Sequence, residues 1–288
     1  MDFARRTLHS SWVRTLALAV AVLVAALSLE HIPHAAPLPA VLGLLPFILG
    51  KYVVAPLRWR QISAAGKPVR WHIRVQAEAE LLGLLVPGRA AADLWRAHEL
   101  HKTGLERPAA WAEIGLDRMV GAAGLTVFVL ATGAALPLRV MAVGLGVGAV
   151  ALVVGLVLAR RKPALLAQRP RPSRAQLVRG VVLATAYQLS FAGLLFGTTD
   201  AVGHPVPALA LLGVFGASQV AGLIPGVHGA GPREGALVVG LVSLGVPWAS
   251  ALGAISLTAV LAWVPALTIG GTCLLARKLR RGPAMVAA

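Results

Sequence analysis

The feature that most constrains this chain is a series of apolar segments long enough to cross a lipid bilayer. A transmembrane helix needs about 20 mostly apolar residues to span the hydrocarbon region. We expect such helices at residues 12–30, 37–56, 110–134, 138–159, 177–199 and 249–276. Only 13% of the residues are charged and the mean hydropathy is +0.77, whereas soluble domains carry about 25% charged residues. The composition therefore argues against a soluble enzyme, a secreted scaffold or a disordered tail.

Two further apolar segments, 73–102 and 206–246, are each interrupted by a Pro-Gly pair. The pairs are Pro87-Gly88 and Pro225-Gly226. Neither flank of either break is long enough to cross a membrane alone, so we predict two re-entrant helical hairpins. Broken backbone is tolerated at membrane depth where protein or a water-filled cavity covers it. The two breaks resemble one another in sequence, which suggests an inverted repeat of the kind that transporters use.

The net charge of +16 arises from 27 Lys and Arg residues against 11 Asp and Glu. Most of the cations lie on one side of the predicted spans, notably in the loops 57–72 and 160–176. The positive-inside rule then places both termini in the cytoplasm. We interpret the charge as a record of orientation, not as a nucleic-acid surface. The sequence predicts one all-α, polytopic domain over 1–288 in the cytoplasmic membrane.

A charged residue at bilayer depth is a functional candidate, because it costs at least about 2.5–3.5 kcal/mol to insert. One such group follows the first Pro-Gly break. In a helix over 89–101, Arg89, Asp93 and Arg96 would share one face, at positions i, i+4 and i+7. A solvated helix that contains an internal ion pair explains the pattern equally well.

A second charged group opens the third predicted span. Glu113 and Asp117 lie one helical turn apart, so their carboxylates require a cation between them or a raised pKa. The alternative is that both acids stabilise the dipole of the helix N-terminus. Arg118 opposes that dipole, and we expect a buried anion, or Asp117 itself, to hold it.

A third charged group, Arg233 and Glu234, lies in the second hairpin, in a stretch that is otherwise almost wholly apolar. A helix that starts near Pro232 would present unpaired N–H groups that favour an anion. A structural ion pair is the alternative. The spacing Gly193-x-x-x-Gly197 fits close helix packing without a ligand.

Other polar residues give weaker signals. We assign no function to Glu78 or Glu80. His98 and His101 lack a third ligand nearby, so we expect no metal site and no cofactor. The sequence shows no nucleophile elbow, no phosphate-binding Walker loop and no usefully spaced pair of catalytic carboxylates. We therefore do not expect an enzyme.

Several of these motifs resemble those of the lysylphosphatidylglycerol synthase transmembrane family, also called the flippase-like family of inner-membrane proteins. The matching residues are Leu85-Val86-Pro87-Gly88-Arg89 with Asp93 and Arg96, the pair Asp117-Arg118, and Pro225-Gly226 with Arg233-Glu234-Gly235. Asp93 stands where the family usually has Glu, and His228 and Pro232 interrupt its glycine-rich spacing.

The resemblance implies a polytopic membrane domain with two re-entrant helices that handles lipid. In the bifunctional members, this domain moves aminoacylated phosphatidylglycerol across the bilayer and a separate soluble domain makes it. We expect no synthase domain here, because about a dozen residues follow the last predicted span.

We therefore expect a lipid flippase or lipid-binding transporter for an anionic or aminoacylated phospholipid. Its expected phosphate ligands are Arg89, Arg96, Arg118 and Arg233, as arginine forks favour. Its expected orienting or headgroup-binding acids are Asp93, Asp117, Glu113 and Glu234. The alternative is a non-transporting partner of a glycosyltransferase or other envelope enzyme that binds a polyprenyl-phosphate lipid.

Overall fold

A computed structural model describes residues 36–84, 90–133, 172–222 and 231–280, together with the single positions 153 and 157. Every regular element in these ranges is a helix, which confirms the predicted all-α class for this part of the chain. The ten α-helices described are α1 Pro37–Leu49, α2 Ala55–Ile62, α3 Val69–Leu84, α4 Ala90–His101, α5 Arg107–Thr132, α6 Arg174–Ala201, α7 Ala208–Ala221, α8 Pro232–Ser243, α9 Trp248–Pro265 and α10 Gly271–Arg280. Two π-helical turns, Gly50–Val54 and Ala266–Gly270, join α1 to α2 and α9 to α10.

Four helices in the described ranges are long and apolar enough to cross a membrane. They are Pro37–Ile62, Arg107–Thr132, Arg174–Ala201 and Trp248–Leu279. They correspond to the second, third, fifth and sixth predicted spans. The predicted spans 12–30 and 138–159 lie outside the described residues, apart from helical positions 153 and 157.

The two basic loops are shorter than predicted. The helix that begins at Pro37 continues through α2, because Trp59 and Ile62 bury one face while Arg60 stays exposed on another. This reduces the predicted loop 57–72 to residues 63–68. The loop 160–176 ends by Ser173, since a reciprocal capping box between Ser173 and Gln176 starts α6 and satisfies free backbone N–H groups.

Each predicted hairpin contains two helices that pack against each other. In the first, α3 packs on α4, and in the second, α7 packs on α8. The connecting residues Pro87, Gly88, Arg89, Pro225 and Gly226 lie outside the described residues. The re-entrant path and the inverted repeat stay predictions, as does the cytoplasmic position of both termini.

Helix α6 lies at the centre of the described bundle and packs against α1, α2, α5 and α9. Its contact with α1 is close because both surfaces carry glycine. A Cβ on Gly43 would lie 2.8 Å from the carbonyl oxygen of Gly193, and a Cβ on Gly197 would meet the backbone of α1. This agrees with the packing predicted for the Gly193-x-x-x-Gly197 spacing.

Two apolar cores hold the two hairpins. The first core contains Trp59, Val75, Leu100 and Ile114, and it lies between α2, α3, α4 and α5. The second core contains Phe128, Phe215, Leu241 and Ile255 among others, and it joins α5 through α9. Charged side chains surround the first core, and this is where most of the predicted site residues lie.

Candidate functional site in the first hairpin

The centre of the candidate site is Asp117, which is only 1% exposed. Arg58 of α2 donates two hydrogen bonds to its carboxylate, with Nε 2.9 Å from Oδ1 and Nη2 3.0 Å from Oδ2. Arg96 donates from α4 to Oδ2 at 2.8 Å. The Arg96 guanidinium also lies over the Trp59 ring, 4.2 Å from its centre. A fork-shaped arginine contact and a second arginine together satisfy this buried charge.

Glu113 lies one turn before Asp117 and is satisfied by a separate set of donors. Its carboxylate accepts hydrogen bonds from Trp59 Nε1 at 2.9 Å, Ser63 Oγ at 2.6 Å and the Ala64 backbone N–H at 2.9 Å. The donors described for Glu113 therefore differ from the two arginines that bind Asp117. Glu113 instead anchors the turn that follows α2.

Arg118 pairs with Asp93 rather than with Asp117. Its Nη2 lies 2.7 and 2.6 Å from the two Asp93 oxygens. Neighbouring helical residues point about 100° apart, so Asp117 and Arg118 cannot face one another. The Arg118 side chain is 42% exposed and that of Asp93 is 20% exposed. This ion pair is therefore more exposed to solvent than the Arg96–Asp117 pair.

Helices α4 and α5 are thus joined by two ion pairs of opposite polarity. Asp93 of α4 meets Arg118 of α5, and Arg96 of α4 meets Asp117 of α5. Asp93 and Arg96 share a face of α4, as predicted. Both reach across to α5, whereas the solvated alternative had them paired within their own helix.

A second set of charges lies where α3 and α4 meet α10. Arg277 donates to Glu78 at 3.0 Å and to Glu99 at 2.7 Å. Trp95 Nε1 donates to the same Glu78 oxygen at 3.0 Å, and Lys102 donates to Glu99 at 3.1 Å. Both glutamates are buried, so each requires charged or N–H donors.

A further ion pair lies inside the first described span. Lys51, in the π-helical turn Gly50–Val54, is 3.0 Å from Glu80 of α3. Gln76 Nε2 donates to the other Glu80 oxygen at 2.8 Å. Turns of this kind often occur at functional positions, and here the turn carries a lysine that neutralises an acid of the hairpin.

Sequence reasoning missed several of these partners. Arg58, Arg277 and Lys51 are among the cations that the positive-inside interpretation explains by orientation alone, yet each neutralises a buried acid. Glu78 and Glu80 were assigned no function, although their position in an apolar limb was a usable signal. A carboxylate in an apolar helix requires a cationic partner. The available cations in the sequence lie at the ends of other predicted spans.

Arg233, a predicted site residue of the second hairpin, lies against two aromatic rings of the second core. The Arg233 guanidinium lies over the Phe191 ring, 4.2 Å from its centre. When the Gln219 amide is oriented to satisfy both groups, its oxygen accepts from Arg233 at 3.0 and 3.1 Å. Glu234 accepts from the Gly231 backbone N–H at 2.9 Å and so caps α8. The predicted helix N-terminus near Pro232 is confirmed.

The arrangement offers two kinds of arginine. Arg58 and Arg96 are held by a buried carboxylate, which makes them structural supports of α4 and α5. Arg118 is exposed and Arg233 is partly buried, and both carry the planar donor fork that also suits phosphate oxygens. An anion that reaches either one would meet a guanidinium that its protein contacts already position.

Comparison with known proteins adds one finding to this geometry. The family model described as Lysylphosphatidylglycerol synthase TM region matches residues 11–270 of the chain. The match covers all the described ion pairs except those of Arg277. A comparison with curated proteins found no match.

Proposed function

Since the chain belongs to the Lysylphosphatidylglycerol synthase TM region family, we propose that it binds an anionic or aminoacylated phospholipid and moves it across the cytoplasmic membrane. The family and the apolar helices support a lipid-related role in a membrane. The observation that carries the finer proposal is the partly exposed Arg118–Asp93 pair beside a closed, buried ion-pair network.

Arg118 can exchange the Asp93 carboxylate for another anion, such as a lipid phosphate. The Arg118 side chain is 42% exposed, and its Nη2 contacts the Asp93 carboxylate. Trp111 lies seven residues earlier, on the same face of α5, and is 47% exposed. Tryptophan is enriched at membrane interfaces. A lipid phosphate that reaches this face would compete with Asp93 for Arg118, and a cationic headgroup would then occupy Asp93.

The buried network fixes the position of this pair. Asp117 and Arg118 are neighbours on α5, and Asp93 and Arg96 lie one turn apart on α4. Because the Arg96–Asp117 contact is buried and further supported by Arg58, it sets the spacing between the two helices. Arg96 therefore acts as a positioning residue, while Arg118 contacts the lipid. Arg233 supplies the corresponding cation in the second hairpin.

A translocation assay tests the proposal. Protein in liposomes that contain a fluorescent anionic lipid is treated with dithionite, which bleaches only the outer leaflet. We expect Arg118→Gln and Arg233→Gln each to slow translocation at least tenfold. Arg179→Gln is the matched control, since Arg179 is an exposed arginine at the start of α6. Equal rates in all three variants would refute the roles of Arg118 and Arg233.

A second readout separates lipid contact from structure. If lipid competes with Asp93 for Arg118, Asp93→Asn should increase the amount of anionic lipid that co-purifies, while Arg118→Gln should decrease it. A purely structural pair would move both amounts in the same direction. Wild-type protein that retains lipid without moving it would contradict the transport step and favour the non-transporting, polyprenyl-phosphate alternative.

A further inference from the structure

A polar cavity lies away from the ion-pair network, where α2, α3 and α6 meet. Its volume is about 310 Å³, and its walls include Arg60, Gln61, Lys67, His72 and Gln176. This volume falls at the lower end of the range of about 300–1,000 Å³ found for small-ligand sites. The cavity lies at the ends of two membrane-spanning helices, the level at which lipid headgroups are found.

The charge of this cavity is positive. Arg60 and Lys67 are exposed, and neither contacts a carboxylate among the described residues. The neighbouring acid, Glu113, is fully buried and bound by Trp59 and other donors. Two cations that contact no carboxylate in the described part of the chain, on the wall of a polar cavity, favour an anion with several oxygen atoms, such as a phosphate.

His72 also lines this cavity, and its imidazole ring lies just behind the cavity surface. Its Nδ1 lies 3.2 Å from the Pro68 carbonyl oxygen. Because a carbonyl only accepts, Nδ1 must carry the proton. Burial lowers the pKa of His72 to about 4, so the ring is neutral near pH 7 and its Nε2 carries a lone pair. That Nε2 is buried and has no hydrogen-bond partner among the described residues. A buried acceptor in this condition is unfavourable until a donor reaches it.

We propose that this cavity binds a phosphate ester that carries a free hydroxyl group. Arg60 and Lys67 pair with the phosphate oxygens, and His72 Nε2 accepts a hydrogen bond from the hydroxyl. The ester can be a lipid headgroup or a soluble compound, because the recognised chemistry is the same. The inference rests on the proposed function only where it makes the ester a lipid, and it then assigns the cavity as a second headgroup site.

The first arm of the test uses soluble probes. Full-length protein in detergent is titrated calorimetrically with glycerol 3-phosphate and with inorganic phosphate. We expect glycerol 3-phosphate to bind more tightly, and Arg60→Gln or Lys67→Gln to weaken binding about tenfold, as the loss of one charge-assisted hydrogen bond predicts. Arg70→Gln is the control, because Arg70 is an exposed arginine of α3 that does not line the cavity. Equal weakening by Arg70→Gln, or no binding, would overturn the proposal.

His72→Phe tests the hydroxyl contact with a side chain of similar shape. It should abolish the preference for glycerol 3-phosphate over inorganic phosphate and leave phosphate binding itself intact. Should this variant fail to fold, wild-type protein that binds both probes equally well would still overturn the hydroxyl assignment.

The second arm identifies the source of the ester. Protein in phosphatidylcholine nanodiscs is supplied with phosphatidylglycerol, whose headgroup has alcohol hydroxyls, or with phosphatidic acid, whose headgroup has no alcohol hydroxyl. Selective retention of phosphatidylglycerol that is lost in Arg60→Gln supports a lipid headgroup. Binding of glycerol 3-phosphate without selective lipid retention supports the cavity and assigns a soluble ester. The lipid translocation rate is measured separately, so failure of the transport proposal is distinguishable from failure of this one.

Discussion

Replacing Asp117 by Asn tests whether the buried network holds the first hairpin in place. Asp117 accepts three hydrogen bonds from two arginines that are themselves largely buried. Asparagine has nearly the same volume, but it offers one oxygen and turns an N–H₂ group toward the arginine donors. The substitution therefore leaves Arg58 and Arg96 without a counter-charge, while the packing volume stays nearly constant.

The structure sets the size of the expected effect. Removing one partner of a buried ion pair typically lowers the free energy of unfolding by about 3–5 kcal/mol, because the other charge stays buried and unpaired. Asp117 serves two cations, so we expect the upper half of that range. Domains are stable by only about 5–15 kcal/mol, so Asp117→Asn should remove a large share of the total.

Asp93→Asn is the matched control. It makes the same chemical change on the facing helix, in a pair whose arginine side chain is 42% exposed. Ion pairs of that exposure contribute about 0–1 kcal/mol. The free energy of unfolding can be measured in mixed micelles by denaturant titration. The fluorescence of Trp59, which stacks on Arg96, reports on the network itself.

Two results would refute this reasoning. One is that Asp117→Asn and Asp93→Asn lower the free energy of unfolding by the same small amount. The other comes from a double-mutant cycle with Arg58→Gln, since removing an arginine should offset part of the loss. Strict additivity of Asp117→Asn and Arg58→Gln would mean that the two side chains do not interact energetically.

Three further predictions concern stability. Burial holds the pKa of His72 at about 4, below the unfolded value of about 6.5, so the unfolded chain takes up the proton first. The free energy of unfolding should therefore fall between about pH 6.5 and 4, and His72→Phe should reduce that slope. Gly197→Ala should lower the free energy of unfolding by about 1–3 kcal/mol through overpacking against α1. Gly235→Ala, whose Cβ meets nothing within 4 Å, should not lower the free energy of unfolding. Equal effects of the two substitutions would contradict the close contact of Gly197 with α1. Lys51→Met should lower the melting temperature by removing the Lys51 ion pair from the buried Glu80. The double variant Lys51→Met/Glu80→Gln should recover most of the loss, and no recovery would argue against that pairing.

The long helices could be predicted because apolar length is a local property of the sequence. The predicted span 110–134 corresponds to Arg107–Thr132, and the predicted span 177–199 corresponds to Arg174–Ala201. The boundaries differ by a few residues because polar first turns, such as the one capped by Ser173, continue the helix beyond its apolar part.

The ion-pair partners could not be predicted, because they depend on which helices pack together. Asp117 finds Arg58 at a separation of 59 residues, and Glu78 finds Arg277 at a separation of 199. Helical spacing correctly indicated that Asp93 and Arg96 share a face. It could not indicate that Arg118 would pair with Asp93, because that choice depends on the rotation of α4 against α5.

The network also connects the net charge to the hairpins. Arg58 and Arg277 lie at the ends of spans that the positive-inside rule places in the cytoplasm, and both reach acids of the first hairpin or of α5. If that rule holds here, the first hairpin lies toward the cytoplasmic side. Arg233 lies elsewhere, over Phe191, which is 17 residues after Arg174 and 10 before Ala201 in α6. At about 1.5 Å per residue, Arg233 therefore lies nearer the Ala201 end of α6 than the Arg174 end. Two hairpins that insert from opposite faces would place their arginines in this way.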